Sequence, residues 1–153
     1  MSLAIQDKGG TKVKAKLVLI CAVGVLSLLL LACAPVAKQA SVEVSCDDFS
    51  QQPHLSKQVE VAAGGTLTVT LCSNPTTGFE WESARISDQS VLQQTDHRFE
   101  SPEAENIVGA AGKDVWTFRA LKKGTSTVSM EYSRPWEGGE KGEWTFNLTV
   151  TVK

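Results

Sequence analysis

Few residues of this chain could do covalent chemistry, and their spacing assembles no catalytic set. The four cysteines are Cys21, Cys33, Cys46 and Cys72, and the two histidines, His54 and His97, stand apart from them and from each other. No Gly-x-Ser-x-Gly elbow raises a serine, and no His-Glu-x-x-His pattern could hold zinc. Glu100, Glu103 and Glu105 could draw a cation, but they read more simply as a solvated acidic loop, so no metal and no other cofactor is expected. What the chain does offer is a stretch suited to presenting a rigid polar surface. Asn74-Pro75-Thr76-Thr77-Gly78-Phe79 joins a proline with φ fixed at about −65°, a preceding residue pushed toward extended backbone, and a glycine free to take the positive φ of a sharp return. The threonines between them are stiff at χ1 and carry hydroxyls that donate or accept. The same residues also suit an ordinary turn, so their company decides the matter.

Two more stretches supply that company. Gly109-Ala110-Ala111-Gly112-Lys113 is a run of small residues over which another surface could approach the backbone closely. Arg134-Pro135-Trp136-Glu137-Gly138-Gly139 sets a large apolar ring on a turn, and tryptophan and arginine are the side chains most enriched where proteins grip partners. The alternative for Trp136 is that it folds back to cap a core.

The elements that must position these stretches begin after an export signal. Lys8, Lys12, Lys14 and Lys16 precede an apolar run over residues 17–31, which is shorter than the roughly 20 residues a spanning helix needs. Leu30-Leu31-Ala32-Cys33 resembles the bacterial lipobox and implies cleavage before Cys33, lipid on that cysteine, and membrane anchoring of an exported bacterial protein. Residues 1–32 are therefore expected to be a cleaved lipoprotein signal peptide, 33–40 a tether, and 41–153 the folded domain. Removing 1–32 takes four lysines from 15 Lys and Arg and Asp7 from 17 Asp and Glu, leaving 11 against 16. Nucleic acid is not expected as a partner, because the basic footprint is missing. Cys46 and Cys72 remain as two thiols in an oxidising compartment and are expected to pair; two buried free cysteines are the alternative.

The rest is strand language. Residues 66–71 and Trp144–Val152 alternate apolar and polar, as do Val128, Met130 and Tyr132 with their neighbours, and Trp116 and Phe118 with theirs. Weaker runs lie at 41–46, 57–61, 79–83 and 91–99, and no helical period stands out. Seven to eight short strands over this length argue for an all-β, immunoglobulin-like antiparallel β-sandwich. Successive traverses then place residues 74–78, 101–113 and 134–142 at one pole, because an even number of crossings separates them. The same count brings Cys46 and Cys72 near that pole and starts the domain at the opposite one.

In that order and spacing, Asn74 to Phe79, the glycine-flanked stretch before Trp116-Thr117-Phe118, and Arg134-Pro135-Trp136-Glu137 resemble the chagasin-like inhibitors of papain-type cysteine peptidases. The likeness covers 41–153. This chain departs from the family pattern at Ala110-Ala111, where a glycine is usual. The resemblance implies a sandwich whose three loops enter a peptidase cleft as a wedge, with Thr76 and Thr77 against the catalytic residues, Gly109 to Gly112 on the non-primed side and Arg134-Pro135-Trp136 on the primed side. The implied partner is a papain-like cysteine peptidase, held by a monomeric inhibitor that is no enzyme. The rival is a lipid-anchored surface-binding or adhesion module that shares only the sandwich. Asn147-Leu148-Thr149 has the form of a glycosylation site but falls within an alternating strand.

Overall fold

Period-two alternation makes sheets with one wet and one buried face, and two such faces close on each other here. The structure, a computed structural model, describes residues 36–102 and 109–153. The expected signal segment, Cys33, Glu103 and Glu105 lie outside them. Residues Val36–Lys153 form one compact unit. Its strands are β1 (Gln39–Val44), β2 (His54–Val61), β3 (Thr66–Ser73), β4 (Glu80–Trp81), β5 (Arg85–Ile86), β6 (Leu92–Glu100), β7 (Gly112–Ala120), β8 (Gly124–Ser133) and β9 (Trp144–Val152), with one helix, α1 (Cys46–Gln51), between β1 and β2. β1 starts at Gln39, so the last residues expected to be tether already pair in a sheet.

One sheet runs β1-β3-β7-β6 and the other β2-β9-β8-β4, with β5 continuing along β8. Leu67, Val69, Leu71, Trp116 and Phe118 of the first sheet meet Val128, Met130, Phe146, Leu148 and Val150 of the second, all essentially shut off from water. The sandwich agrees with the sequence reading. Its sheets are mixed, however, and not purely antiparallel: β1 pairs with β3 in parallel, Val44 opposite Leu71, and β2 with β9, Val61 opposite Val152. The cause is parity. With β4 and β5 together making one crossing and each other strand making its own, β1 and β3 both rise and β2 and β9 both descend; neighbours that share a direction must pair in parallel.

The expected strand over 79–83 is also shorter. Only Glu80–Trp81 ladders onto Ser133 and Tyr132, and pairing resumes with Arg85 and Ile86 opposite Ser129 and Val128. Counted as one broken strand, β4 and β5 bring the total among the described residues to eight. α1 is the element that the sequence reading lacked. Ser45 and Asp48 form a reciprocal cap, with Ser45 N–H donating to the Asp48 carboxylate at 2.8 Å and Asp48 N–H to Ser45 Oγ at 3.2 Å. Six residues are too few to display a period. Tertiary packing holds them: Phe49 is buried and its ring stacks on Trp144 at 4.9 Å, and Cys46 is joined to Cys72 of β3 with Cα atoms 5.1 Å apart.

Candidate functional site

Ladder register puts three loops at one pole. Ser73 at the end of β3 faces Gly112 at the start of β7, and Tyr132 near the end of β8 faces Trp144 at the start of β9. β1, paired in parallel with β3, begins beside Thr66 at the opposite pole.

Asn74 builds the first loop. It caps a single 3-10 turn over Pro75–Thr77, and its Oδ1 accepts from Thr76 Oγ1 at 2.6 Å and from Thr76 N–H at 3.3 Å. Thr77 Oγ1 donates to the Asn74 carbonyl at 2.7 Å. Gly78 ends the turn at φ 80°, in the left-handed region where a side chain is strained. Two further bonds tie this loop to the rest. Asn74 N–H donates to the Tyr132 hydroxyl at 2.7 Å, and Asn74 Nδ2 donates to the carbonyl of Gly109 in the second loop at 2.9 Å. Pro75, Thr76 and Thr77 stay exposed at the tip, while Phe79 is 9% exposed and belongs to the foundation.

The described part of the second loop runs from Gly109, at φ 83°, through Ala110 and Ala111. Gly112 is not a tip residue. It is buried in β7 with the Phe99 ring over it; a Cβ there would lie 2.5 Å from Phe99 Cζ. Glycine at this position lets the aromatic ring cover the strand and hold the loop's base.

The third loop folds on itself. Arg134 N–H donates to the Glu140 carbonyl at 2.8 Å, Lys141 Nζ to the Arg134 carbonyl at 2.7 Å, and Gly142 N–H to Ser133 Oγ at 3.0 Å. The Arg134 guanidinium carbon sits 4.3 Å above the Phe79 ring, with Nη1 3.7 Å from Glu140. Its charge is therefore engaged within the pole, in a contact worth about 0.5–2 kcal/mol. Pro135 and Glu137 are exposed beside it. Trp136 does not cap the core: it is 52% exposed. Its ring lies across Gly78, where an added Cβ would come within 2.8 Å of Trp136 Cη2. The first loop thus touches both of the others, the second through Asn74 and the third through Gly78.

Beneath the tips, rings continue the order inward. Phe79 stacks on Tyr132 at 5.5 Å, Tyr132 on Trp144 at 4.7 Å, and Trp144 on Phe49 of α1. Tyr132 and Glu140, which hold the first and third loops, escaped the sequence reading; the available signal was their place immediately before and within the Arg134 turn. The other sequence candidates fall elsewhere. His54 is an exposed strand residue whose Nδ1 lies 3.1 Å from Thr145 Oγ1. His97 is not isolated as expected: its Nε2 lies 2.7 Å from Asp114, and its ring stacks on Trp116 at 4.5 Å, which makes it a part of the sheet. Glu100 is paired with Arg98 at 2.7 Å. Among the described residues no group of three His, Cys, Asp or Glu could hold a metal.

A rigid, exposed, mostly uncharged edge with no nucleophile can occupy a groove and do no chemistry there. Comparison with known proteins agrees. The family described as chagasin family peptidase inhibitor I42 matches residues 60–150. Amoebiasin-2 of Entamoeba histolytica is 27% identical over 95 residues, 62% of this chain and 76% of its own. Chagasin of Trypanosoma cruzi is 30% identical over 88 residues, 56% of this chain and 79% of its own. Among solved structures, a cysteine protease inhibitor from Entamoeba histolytica superimposes with a TM-score of 0.58 at 21% identity, covering 75% of this chain and 97% of that one. PbICP-C, solved in complex with falcipain-2, gives 0.59 at 16% identity over 74% and 99%. At such identities the structural likeness shows the fold alone. The family match spans more than half of the sequence, and the chain belongs to the chagasin family of peptidase inhibitors, which are not enzymes.

Proposed function

We propose that this protein is a reversible, tight-binding inhibitor of papain-like cysteine peptidases that works by filling the active-site cleft with its three-loop pole. The observation that carries the reading is the cross-tying of the loops: Asn74 bonded to Gly109, and Trp136 laid across Gly78. Three segments far apart in sequence then act as one preformed body, which lowers the ordering cost of binding. In this reading Thr76 and Thr77 stand against the catalytic cysteine and histidine, Gly109, Ala110 and Ala111 follow the non-primed side, and Arg134, Pro135, Trp136 and Glu137 cover the primed side. Gly112 and Phe79 act from beneath.

Occupancy without cleavage follows from stiffness. A thiolate attacks a carbonyl carbon only from about 3–3.5 Å and in line. The 3-10 turn capped by Asn74 and closed by Gly78 holds the Asn74 and Pro75 carbonyls in internal hydrogen bonds and fixes the backbone between them, so the loop resists the extended pose that attack requires. Trp136 would add roughly 150–250 Å² of aromatic contact to an interface of about 1,600 Å² in total. The test is a papain assay. The parent should inhibit competitively, and Thr76→Trp or Trp136→Ala should weaken inhibition with little loss of thermal stability; inhibition unchanged in both variants overturns the wedge.

Export and lipid anchoring at Cys33 are proposed on the basic, apolar and Leu30-Leu31-Ala32-Cys33 pattern alone. The domain begins at the pole opposite the loops, so such a tether would leave them facing away from a membrane. Intact mass of the protein purified from its native membrane tests this, with unmodified Met1 as the contrary result.

A further inference from the structure

The pole also has a hollow. Beside the loop tips lies an open cavity of about 310 Å³, lined by Cys46 and Ser50 of α1 together with Thr77 and Ala111 of the loops. Phe79, Tyr132 and Trp144 make its lining mostly apolar, and Glu143 lines it as well. Asn74, Thr77 and Ala111 belong both to this hollow and to the loops, so whatever covers the tips also reaches the hollow.

We infer that the hollow receives a protruding lysine or arginine side chain from the rim of the target peptidase's cleft, with Glu143 as the carboxylate that selects it. The inference rests on the inhibitor reading above and deepens it by naming a feature of the partner. Charge complementarity and continuity with the wedge carry it. Glu143 is exposed and makes no hydrogen bond or ion pair among the described residues. The nearby cations are held elsewhere, Arg134 over Phe79 and beside Glu140, and Lys141 on the Arg134 carbonyl. Among the described residues no cation answers that carboxylate. A wholly apolar insert would cover part of the Glu143 carboxylate without offering it a hydrogen bond, and an anion would be repelled. A long cationic side chain satisfies both surfaces, with its methylene stem against the ring edges that the stack Phe79, Tyr132 and Trp144 leaves toward the hollow and its charged head at Glu143.

The test measures inhibition constants for the parent, Glu143→Gln and Ser50→Trp against papain and further papain-type peptidases chosen to span neutral to strongly basic cleft rims. Ser50 is exposed on α1 and belongs to none of the three loops, so tryptophan there fills the hollow without replacing a residue of the wedge, and inhibition of neutral-rimmed enzymes reports whether the wedge is kept. Against the basic-rimmed enzymes both variants should inhibit about tenfold more weakly than the parent. The Glu143→Gln deficit should shrink as salt rises, and neutral-rimmed enzymes should not distinguish Glu143→Gln from the parent. If the parent inhibits and neither variant differs from it on any enzyme, the hollow is no receiving site and only this inference fails. If the parent inhibits no papain-type peptidase, the inhibitor reading fails and this inference with it. Glu143-dependent self-association in sedimentation would assign the hollow to a second copy and overturn the proposal.

Discussion

Asn74 carries more of the site than the threonines at the tip. One side chain caps the turn through Oδ1 and reaches the second loop through Nδ2. Replacing it with alanine should cost about 1 kcal/mol of stability, as a lost helix cap does. It should also raise the inhibition constant about tenfold or more as the first two loops part, tenfold being about 1.4 kcal/mol. Asn74→Asp separates the two roles, since it keeps the acceptor and turns a carboxylate oxygen toward the Gly109 carbonyl. The turn should survive, shown by near-parental unfolding in urea, while inhibition still falls. Gly78 is the second such residue. Its positive φ and the Trp136 ring lying on it both exclude a side chain. Gly78→Ala should cost about 1–2 kcal/mol from backbone conformation alone, and it should displace Trp136, which a shift in tryptophan fluorescence would report. The sequence shows Asn-Pro and Gly as turn formers, but it does not show that Asn74 bonds to Tyr132 58 positions away, because such a partner exists only once β3 and β8 have been placed.

Among the elements, the strongly alternating strands were legible and α1 was not, for one physical reason. β3, β8 and β9 each bury every second side chain, which writes a period of two into the sequence. α1 spans one and a half turns, and only its Ser45 and Asp48 cap marks it. Its stability comes from Phe49 packed against Trp144 and from the link between Cys46 and Cys72. Replacing both cysteines with serine should remove about 3 kcal/mol in denaturant unfolding, the chain-entropy value for a 26-residue separation. The cap adds a pH signature. Hydrogen bonds from the Ser45 backbone and hydroxyl hold Asp48 below the ordinary carboxylate value of 3.8. A carboxyl lowered on folding stabilises the fold above its unfolded pKa and stops doing so as pH falls through its folded one. Asp48→Asn should therefore melt below the parent at neutral pH, and the two melting curves should converge as pH drops beneath 3.8; a gap that persists in acid would mean that the carboxylate is not the stabilising group.

For the whole molecule, the decisive feature is parity. Eight traverses, counted from alternation alone, suffice to bring three loops to one pole, and that much of the site could be read without coordinates. The partner of each strand could not, which is why the parallel pairing of β1 with β3 and of β2 with β9 came only with the structure. Nor could the contacts that turn three neighbouring loops into one body, since Trp136 against Gly78 and Asn74 against Gly109 join residues on different strands. That body, set at the pole opposite the start of the domain, has the form of a plug. The most direct measurement is a papain assay followed by intact mass of the inhibitor recovered from the mixture. Competitive inhibition by the parent, a marked loss in Thr76→Trp, and a recovered chain of unchanged mass are the predicted results. A folded parent that leaves papain fully active, or one recovered cut between Asn74 and Gly78, would contradict the account.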